Sequence, residues 1–197
     1  RILKKTFLWI RQNLDNQTPI NEWMLLEHMK ELIAKEPIYM DSPPFFGIDE
    51  HACNPGYEPS PESSKPIQEG SRLIIDIAGR LPKEDAVYYD ISWCMNIGPA
   101  IDPEYQQLFN TVSHARKLAL DYIRRQLDKN LPLRGCDVDA LLRSYFEKEE
   151  LASCIMHRTG HNIGHNCHGI GANLDDFETH DDRSLLPGTM FSIEPGI

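Results

Sequence analysis

The stretch HRTGHNIGHNCHGIG, residues 157–171, decides the fold together with PGTMFSIEPG, residues 187–196. The first stretch places four histidines within twelve residues: His157, His161, His165 and His168. Three of them follow an i, i+4 spacing that would suit a zinc-binding helix, but the HExxH pattern of such helices is absent. Glycine disfavours a helix interior, and this stretch contains Gly160, Gly164, Gly169 and Gly171. The sequence therefore predicts an extended or looped path that carries a cluster of imidazoles.

Some polar groups in this region are expected to lie outside any site. For His165, and for His180 farther along the chain, we favour a solvent-exposed position. Cys167 has two interpretations, a small side chain that packs or a thiolate that a soft metal recruits, and we favour packing. The histidines beside bends that glycine permits still indicate a site rather than a plain surface loop.

Three acidic residues lie within apolar runs that predict strands. Asp76 ends the run RLIID, Asp90 lies in YYDISW, and Glu194 lies in MFSIEPG. A carboxylate in a buried strand is costly unless a positive group neutralises it. A salt bridge or a position at a strand end would explain any one of them, but three similar settings in one chain favour a shared metal cluster.

Three carboxylates with one or two imidazoles form a hard donor set. Such a set suits Mn(II), Fe(II), Co(II) or Zn(II) rather than a structural thiolate zinc site. Two ions roughly 3.5–4 Å apart would share a bridging water, lower its pKa and polarise a substrate carbonyl. The chemistry that these residues predict is hydrolysis.

The remaining pattern predicts an α+β domain. Apolar spacing and capping residues predict helices that cover residues 5–14, begin at Thr18 with Pro19, begin at Asp102 with Pro103, and cover 137–148. β-rich runs predict strands at 72–77, 87–97 and 189–194, with a long loop and at most one short strand at 37–66. We expect a curved antiparallel sheet with helices on one face, in a single domain of residues 1–197.

Composition argues against several classes of protein. The net charge of -10 and the pI near 5.2 disfavour a nucleic-acid or anionic-membrane surface, which needs clustered Lys and Arg. No run approaches the roughly 18 apolar residues of a membrane helix. Five cysteines, an odd number without CxxC spacing, favour a reducing cytoplasm over secretion. Both ends, Arg1 and Ile197, look truncated, so we expect an incomplete domain.

The order of these motifs resembles the pita-bread metallopeptidase superfamily, which includes creatinase, prolidase and methionine aminopeptidase. The order is a strand Asp, a second strand Asp, a long helix, a GHNIG loop with a later His, and an IEPG strand, from about Thr18 onward. The chain is most similar to the Xaa-Pro aminopeptidases. The resemblance implies a pita-bread fold, truncated at both ends, with the helices on the outer face of the curved sheet.

The resemblance also implies the metal ligands. Asp76 would be a terminal ligand of one ion, and Asp90 would bridge two ions. His161 would bind the second ion together with Glu194. Two divalent ions are implied, with Mn(II) favoured and Co(II), Fe(II) or Zn(II) as alternatives.

The same resemblance implies catalytic roles for three residues. Glu194 would be the general base for the attacking water as well as a ligand. His168 would hydrogen-bond the substrate and stabilise the tetrahedral intermediate, and His157 would be a second active-site histidine. The implied reaction removes an N-terminal residue, often ahead of proline. We expect a peptide substrate, no nucleic-acid or membrane partner and a cytoplasmic location, with a homodimer left open.

The chain departs from the family pattern near the substrate. A Pro-His-Tyr element usual ahead of the first Asp is here Pro55, Gly56 and Tyr57. The histidine that would contact the substrate or leaving group is therefore missing, unless His51 replaces it.

Further departures concern the metal site. Trp93 stands where an Arg is usual, and Gly169 stands where an acid is usual. Family members place another glutamate ligand downstream of IEPG, and this chain ends at Ile197. We expect the chain either to bind metal poorly or to be a fragment of a longer protein that completes the cluster.

Two alternatives keep the fold and change the function. The superfamily includes creatinase-like hydrolases of small C–N substrates such as amides and amidines, and the change at Gly56 affects the substrate pocket rather than the metals. It also includes binding proteins without catalysis, whose ligands are eroded. Asp76, Asp90, His161 and Glu194 are all present, which favours an enzyme.

Overall fold

The computed structural model describes residues 1–54 and 56–197 of the chain. These residues form two compact units, Arg1–Ile101 and Asp102–Ile197. Both units combine helices with antiparallel strands, which confirms the α+β class. A single domain over residues 1–197 stays a prediction. Among the described residues, every helix is either too short or too polar to cross a membrane.

The first unit contains a three-stranded antiparallel sheet and two helices. Its elements are α1 (Ile2–Asp15), α2 (Glu22–Ile33), β1 (Phe45–Ile48), β2 (Arg72–Gly79) and β3 (Tyr89–Asn96). The strands lie in the order β1-β2-β3, and a short 3-10 helix, Asp49–Cys53, follows β1. The single short strand predicted in the long loop is therefore β1.

Strict alternation along β2 builds the core of the first unit. Leu73, Ile75 and Ile77 are fully buried, whereas the residues between them are half-buried. The buried side chains pack with Phe46 of β1 and with apolar residues of both helices, such as Met29. One face of β2 thus packs in the core, and Asp76 lies on the other face.

The second unit contains two long helices and a two-stranded sheet. Its elements are α3 (Pro103–Asp128), α4 (Gly135–Lys148), β4 (Asn162–Ile163) and β5 (Met190–Phe191), with a 3-10 turn at Ala152–Cys154. Its core is a cluster of small and aliphatic side chains that includes Ala115, Ala119, Val138, Leu142 and Leu174. The alanines of α3 allow α4 to pack closely against it.

A side-chain cap confirms the predicted start of α3. Asp102 Oδ1 accepts hydrogen bonds from the backbone N–H groups of Glu104 and Tyr105, at 2.8 and 3.2 Å. Pro103 occupies the first turn, where its missing N–H is harmless.

The predicted start of α2 at Thr18 is wrong. The helix begins at Glu22, and the cap is Asn21, whose Oδ1 accepts the Met24 N–H at 2.9 Å. The preceding residues are extended, because the Ile67 N–H donates to the Ile20 carbonyl at 2.9 Å. A tertiary backbone contact therefore overrides the local signal of Thr18 with Pro19.

The last predicted strand, residues 189–194, is shorter in the structure. β5 covers only Met190–Phe191. Two backbone hydrogen bonds of 2.9 Å continue the pairing beyond it, from Ser192 N–H to the His161 carbonyl and from Glu194 N–H to the Thr159 carbonyl. The extended segment that carries Glu194 is thus held to the segment that carries His161.

Candidate functional site

Asp76 and Asp90 lie on one face of the β2–β3 hairpin. In the register, Asp76 is opposite Ser92 and Ala78 is opposite Asp90. Residues directly opposite in an antiparallel pair share a face, so the two acids are diagonal neighbours with Cα atoms about 7–8 Å apart. The Ser92 hydroxyl donates to Asp76 Oδ1 at 2.8 Å. The hairpin therefore presents two carboxylates side by side.

The predicted burial of these strands holds for one face of β2 only, where Leu73, Ile75 and Ile77 are buried. Asp76 and Asp90 are both half-buried. On β3, Tyr89, Ile91 and Trp93 are each more than 40% exposed. The residues before and after an acid in a strand both point to the face opposite the acid, so their apolar character does not bury the acid itself.

His161 and Glu194 meet beside the β4–β5 pair. His161 Nε2 lies 3.0 Å from Glu194 Oε1. The imidazole is 4% exposed and the carboxylate is half-buried. The Ser192 hydroxyl contacts both residues, since it accepts the backbone N–H of His161 at 2.9 Å and donates to Glu194 Oε1 at 2.8 Å. The hydroxyl thus ties the backbone of His161 to the carboxylate of Glu194, and the imidazole contacts that carboxylate directly.

Asn162 organises the turn that follows His161. Its carbonyl accepts the Gly169 N–H at 2.7 Å, and its side-chain Nδ2 donates to the Met190 carbonyl at 3.0 Å. A Cβ at Gly169 would overlap Asn162 Oδ1, so the family departure at this position has a structural reason. The turn brings the exposed His168 ring edge-on to His161, with centroids 4.3 Å apart and planes at 81°. The predicted looped path of the histidine segment is confirmed.

Asp181 supports this turn. Its carboxylate accepts the Asn173 N–H at 2.8 Å, and Asn173 Oδ1 in turn accepts the Asn162 N–H at 2.9 Å. The Arg183 guanidinium binds both oxygens of Asp181, at 2.8 and 2.5 Å. This hydrogen bonding lowers the pKa of Asp181 to about 2. The turn is therefore tied to a carboxylate that stays charged well below neutral pH.

Asp139 is a positioning residue that the sequence interpretation misses. It is fully buried in α4, pairs with Arg143 through both oxygens, and accepts the N–H and the hydroxyl of Thr159 at 2.9 and 2.6 Å. The Thr159 carbonyl binds the Glu194 N–H, and His161 lies two residues on. The only signal in the sequence is the i, i+4 spacing of Asp139 and Arg143, which is typical of an exposed ion pair.

The structure places His157 at the edge of a small cavity that does not include His161 or His168 among its lining residues. The ring packs against Gly196, and its Nδ1 hydrogen-bonds the Arg158 carbonyl at 2.7 Å. Asp139 and Arg143 also line this small cavity. Of the predicted catalytic histidines, His168 is the one that the turn brings beside His161. His165 and His180 are exposed, as predicted.

Glu22 is a second buried acid that the sequence interpretation misses. It is fully buried in α2, and it accepts the Ile48 N–H at 2.7 Å, the Lys65 N–H at 2.8 Å and the Tyr57 hydroxyl at 2.6 Å. His51 Nδ1 lies 2.9 Å from Glu22 Oε2, and the His51 ring stacks on Tyr57 with centroids 3.9 Å apart. The long loop is thereby fixed to α2.

The departure at Gly56 lies within this loop. Gly56 is exposed, and its N–H donates to Asn54 Oδ1 at 3.1 Å, whereas Pro55 lies outside the described residues. The His51 side chain is 21% exposed and oriented by Glu22. Its replacement of the missing histidine stays a prediction.

Known proteins share both sequence and fold with this chain. The probable dipeptidase PepE of Mycobacterium tuberculosis H37Rv is 29% identical over 153 residues, which are 77% of this chain and 36% of that protein. The dipeptidase PepE of Mycobacterium ulcerans superposes with a TM-score of 0.77 at 24% identity, over 99% of this chain and 48% of the other. The X-Pro aminopeptidase of Thermotoga maritima MSB8 gives a TM-score of 0.74 at 20% identity, over 100% and 51%.

These matches cover nearly the whole of this chain in the solved structures but only part of each relative. The chain spans about a third of the length of its curated relative and about half of each solved chain. The structural likeness confirms the predicted pita-bread fold. The profile of metallopeptidase family M24 matches residues 1–197, which is the whole chain. The chain therefore belongs to metallopeptidase family M24.

Proposed function

We propose that the full-length protein is a dinuclear metal-dependent peptidase that removes the N-terminal residue from peptides with proline in the second position. Membership in a metallopeptidase family supports peptide hydrolysis with divalent metal ions. The observation that carries the finer proposal is the 3.0 Å contact between His161 Nε2 and Glu194 Oε1. A nitrogen and a carboxylate oxygen this close can bind the same divalent ion.

The donor chemistry fits two such ions. Asp76 and Asp90 share a face of the hairpin, and His161 contacts Glu194. We assign Asp76 as a terminal ligand of one ion, Asp90 as the bridging ligand, and His161 with Glu194 as ligands of the second. Three carboxylates with one imidazole suit Mn(II), Co(II), Fe(II) or Zn(II), and from the family resemblance we propose Mn(II).

The chain's own residues supply the proton transfers and the positioning. Bound ions would acidify the attacking water and polarise the scissile carbonyl. Glu194 takes the proton from that water, and the Ser192 hydroxyl orients its carboxylate. His168 donates a hydrogen bond to the substrate oxygen where negative charge develops. His157 serves as a second active-site histidine, at the cavity it shares with Arg143.

Metal titration tests the ligand assignment. Calorimetry of the full-length protein with Mn(II) is expected to give two ions per chain. His161→Ala is expected to lower the affinity by about 100-fold, because an imidazole ligand is lost. His165→Ala is the matched control, since this exposed histidine lies only four residues away. Equal affinities of the two variants would show that the assigned ligand set is wrong.

Peptide hydrolysis tests the reaction. Xaa-Pro dipeptides and longer Xaa-Pro peptides are expected to be cleaved faster than the corresponding Xaa-Ala peptides. Glu194→Gln is expected to lower kcat by about 100-fold or more, because the general base is lost. Glu147→Gln changes an exposed acid of α4 and is expected to leave kcat unchanged.

Other outcomes would assign a different function. Hydrolysis of small amides or amidines in place of peptides would indicate a creatinase-like enzyme. A full-length protein that cannot be loaded with Mn, Fe, Co or Zn would indicate a binding protein without catalysis. The odd cysteine count supports a cytoplasmic location. Light scattering tests whether the protein is a homodimer.

A further inference from the structure

The turn that follows His161 in the second unit also carries a cysteine, Cys167. Ligand atoms of His161, Cys167 and His168 all lie within 4.8 Å of one another. Cys167 is 8% exposed and His161 is 4% exposed, whereas His168 is exposed. The backbone bond from Gly169 to Asn162 closes the turn and brings the thiol back toward His161. Cys167 is buried, in agreement with the packing interpretation, and its Sγ also lies near two imidazoles.

We propose that His161, Cys167 and His168 form a second metal site, which takes a thiophilic ion such as Zn(II) or Cd(II). The donor set is two imidazole nitrogens and one thiolate, which such ions prefer and Mn(II) does not. On binding, the thiol releases its proton to solvent as the sulfur–metal bond forms. The site differs in chemistry from the carboxylate-rich site proposed above.

The geometry is close to what such an ion requires. With Zn–N near 2.1 Å and Zn–S near 2.3 Å, ligand atoms on a tetrahedral ion lie about 3.3–3.6 Å apart. The ligand atoms lie at most 4.8 Å apart, so shifts of about 1 Å are enough, and rotation of the exposed His168 side chain supplies those of its own nitrogen. A solvent molecule completes the coordination from the exposed side.

The thiolate site and the proposed peptidase site cannot both be occupied, because both require the lone pair on Nε2 of His161. His161 Nδ1 lies 3.2 Å from the Asn162 carbonyl, an acceptor that requires the proton on Nδ1. The remaining nitrogen, Nε2, faces Glu194 at 3.0 Å. It can serve either the ion that Glu194 binds or the ion that Cys167 binds. Occupation of the thiolate site therefore removes His161 and His168 from the proposed peptidase site.

Cobalt spectroscopy tests this site without reference to activity. Titration of the full-length protein with Co(II) is expected to produce a thiolate-to-cobalt charge-transfer band in the near ultraviolet, which Zn(II) or Cd(II) displaces. Cys167→Ala is expected to abolish the band, and His168→Ala to weaken Co(II) binding by about 100-fold. The exposed Cys154 supplies the control variant Cys154→Ala, which is expected to keep the band.

Two results would overturn the proposal. They are the absence of the band in the wild-type protein and its persistence in Cys167→Ala. Since His168 is exposed, His168→Ala keeps the test informative if the buried Cys167 variant fails to fold.

The inhibitory consequence rests on the proposed function and is tested separately. Zn(II) added to the Mn(II)-loaded enzyme is expected to inhibit peptide cleavage in the wild type and in Cys154→Ala, and at least tenfold less potently in Cys167→Ala. Equal inhibition of all three would overturn the exclusion. A protein without peptidase activity that still shows the cobalt band would refute the proposed function and leave the thiolate site standing.

Discussion

Glu22 in the first unit and Asp139 in the second are both fully buried helical carboxylates, yet different groups neutralise them. Asp139 pairs with the guanidinium of Arg143, one turn along the same helix, at 2.7 and 3.2 Å. Glu22 accepts hydrogen bonds from two backbone N–H groups and a phenol, and it contacts the His51 ring. One acid has a permanent local cation, and the other relies on donors that the long loop brings to it.

This difference predicts how each region responds when its acid is changed. Loss of the Asp139 charge leaves a largely buried guanidinium without its counterion, and the segment that precedes His161 loses its anchor. Loss of the Glu22 charge weakens several hydrogen bonds, but their donors include two backbone N–H groups and a phenol rather than a guanidinium. We therefore expect the larger effect in the second unit.

Asp139→Asn is expected to cause the largest loss of stability. The free energy of unfolding should fall by about 3–5 kcal/mol, because Arg143 is left with an uncompensated charge. The Thr159 N–H also loses a charged acceptor. Urea unfolding monitored by circular dichroism measures the loss, and amide hydrogen exchange at Thr159 shows whether the anchor is released.

The same helix supplies the control. Asp137 pairs with Arg134 at 2.7 Å, but its side chain is 29% exposed. Asp137→Asn is expected to cost about 0–1 kcal/mol, as for other solvent-accessible ion pairs. If the two variants lost equal stability, burial would not be what distinguishes the pairs.

Neither anchor could be predicted from the sequence. Glu22 stands in a helix beside Glu27 and Glu31, and nothing local distinguishes the acid that is buried. Its burial depends on Ile48, Tyr57 and Lys65, which are 26 to 43 residues away. A single sequence does not reveal such contacts, because hydrogen-bond donors are common in every loop.

More of the candidate site than of the two anchors can be predicted from the sequence. Residue alternation places Asp76 on the face opposite Ile75 and Ile77, so the sequence alone predicts that this acid lies outside the apolar core. The contact between His161 and Glu194 joins residues 33 positions apart, and only the family resemblance indicates which imidazole lies beside which carboxylate. The start of α2 differs from the predicted one because the extended pairing of Ile20 with Ile67 competes with the helix.

Glu22→Gln is expected to have an intermediate effect. The amide keeps one oxygen acceptor but turns an NH2 group toward the Lys65 N–H or the Ile48 N–H, so a hydrogen bond to a charged acceptor is lost. We expect a loss of about 2–3 kcal/mol in the free energy of unfolding. Glu27→Gln, at an exposed position of the same helix, should change stability by less than about 0.5 kcal/mol. Similar losses in the two variants would show that the Glu22 contacts contribute little.

The dependence on pH provides the smallest and most selective test, because it isolates a carboxylate paired with arginine. Hydrogen bonds from Arg183 lower the pKa of Asp181 from 3.8 to about 2. A folded-state pKa below the unfolded value stabilises the protein fully above about pH 4, and this stabilisation is lost as the pH falls through about 2. A difference of nearly two pKa units corresponds to about 2 kcal/mol.

Urea unfolding between about pH 5 and about pH 2 measures this contribution in the wild type and in Asp181→Asn. The variant should be less stable by about 2 kcal/mol at the upper end, and the two proteins should converge at the lower end. If the free energies of unfolding of the two proteins stayed equally far apart from about pH 5 to about pH 2, the charge of Asp181 would not be the source of the difference. Convergence would show that the charged Asp181 stabilises the turn, which it contacts through Asn173 and Asn162. The carboxylate of Glu22 differs, because its hydrogen-bond donors include two backbone N–H groups and a phenol.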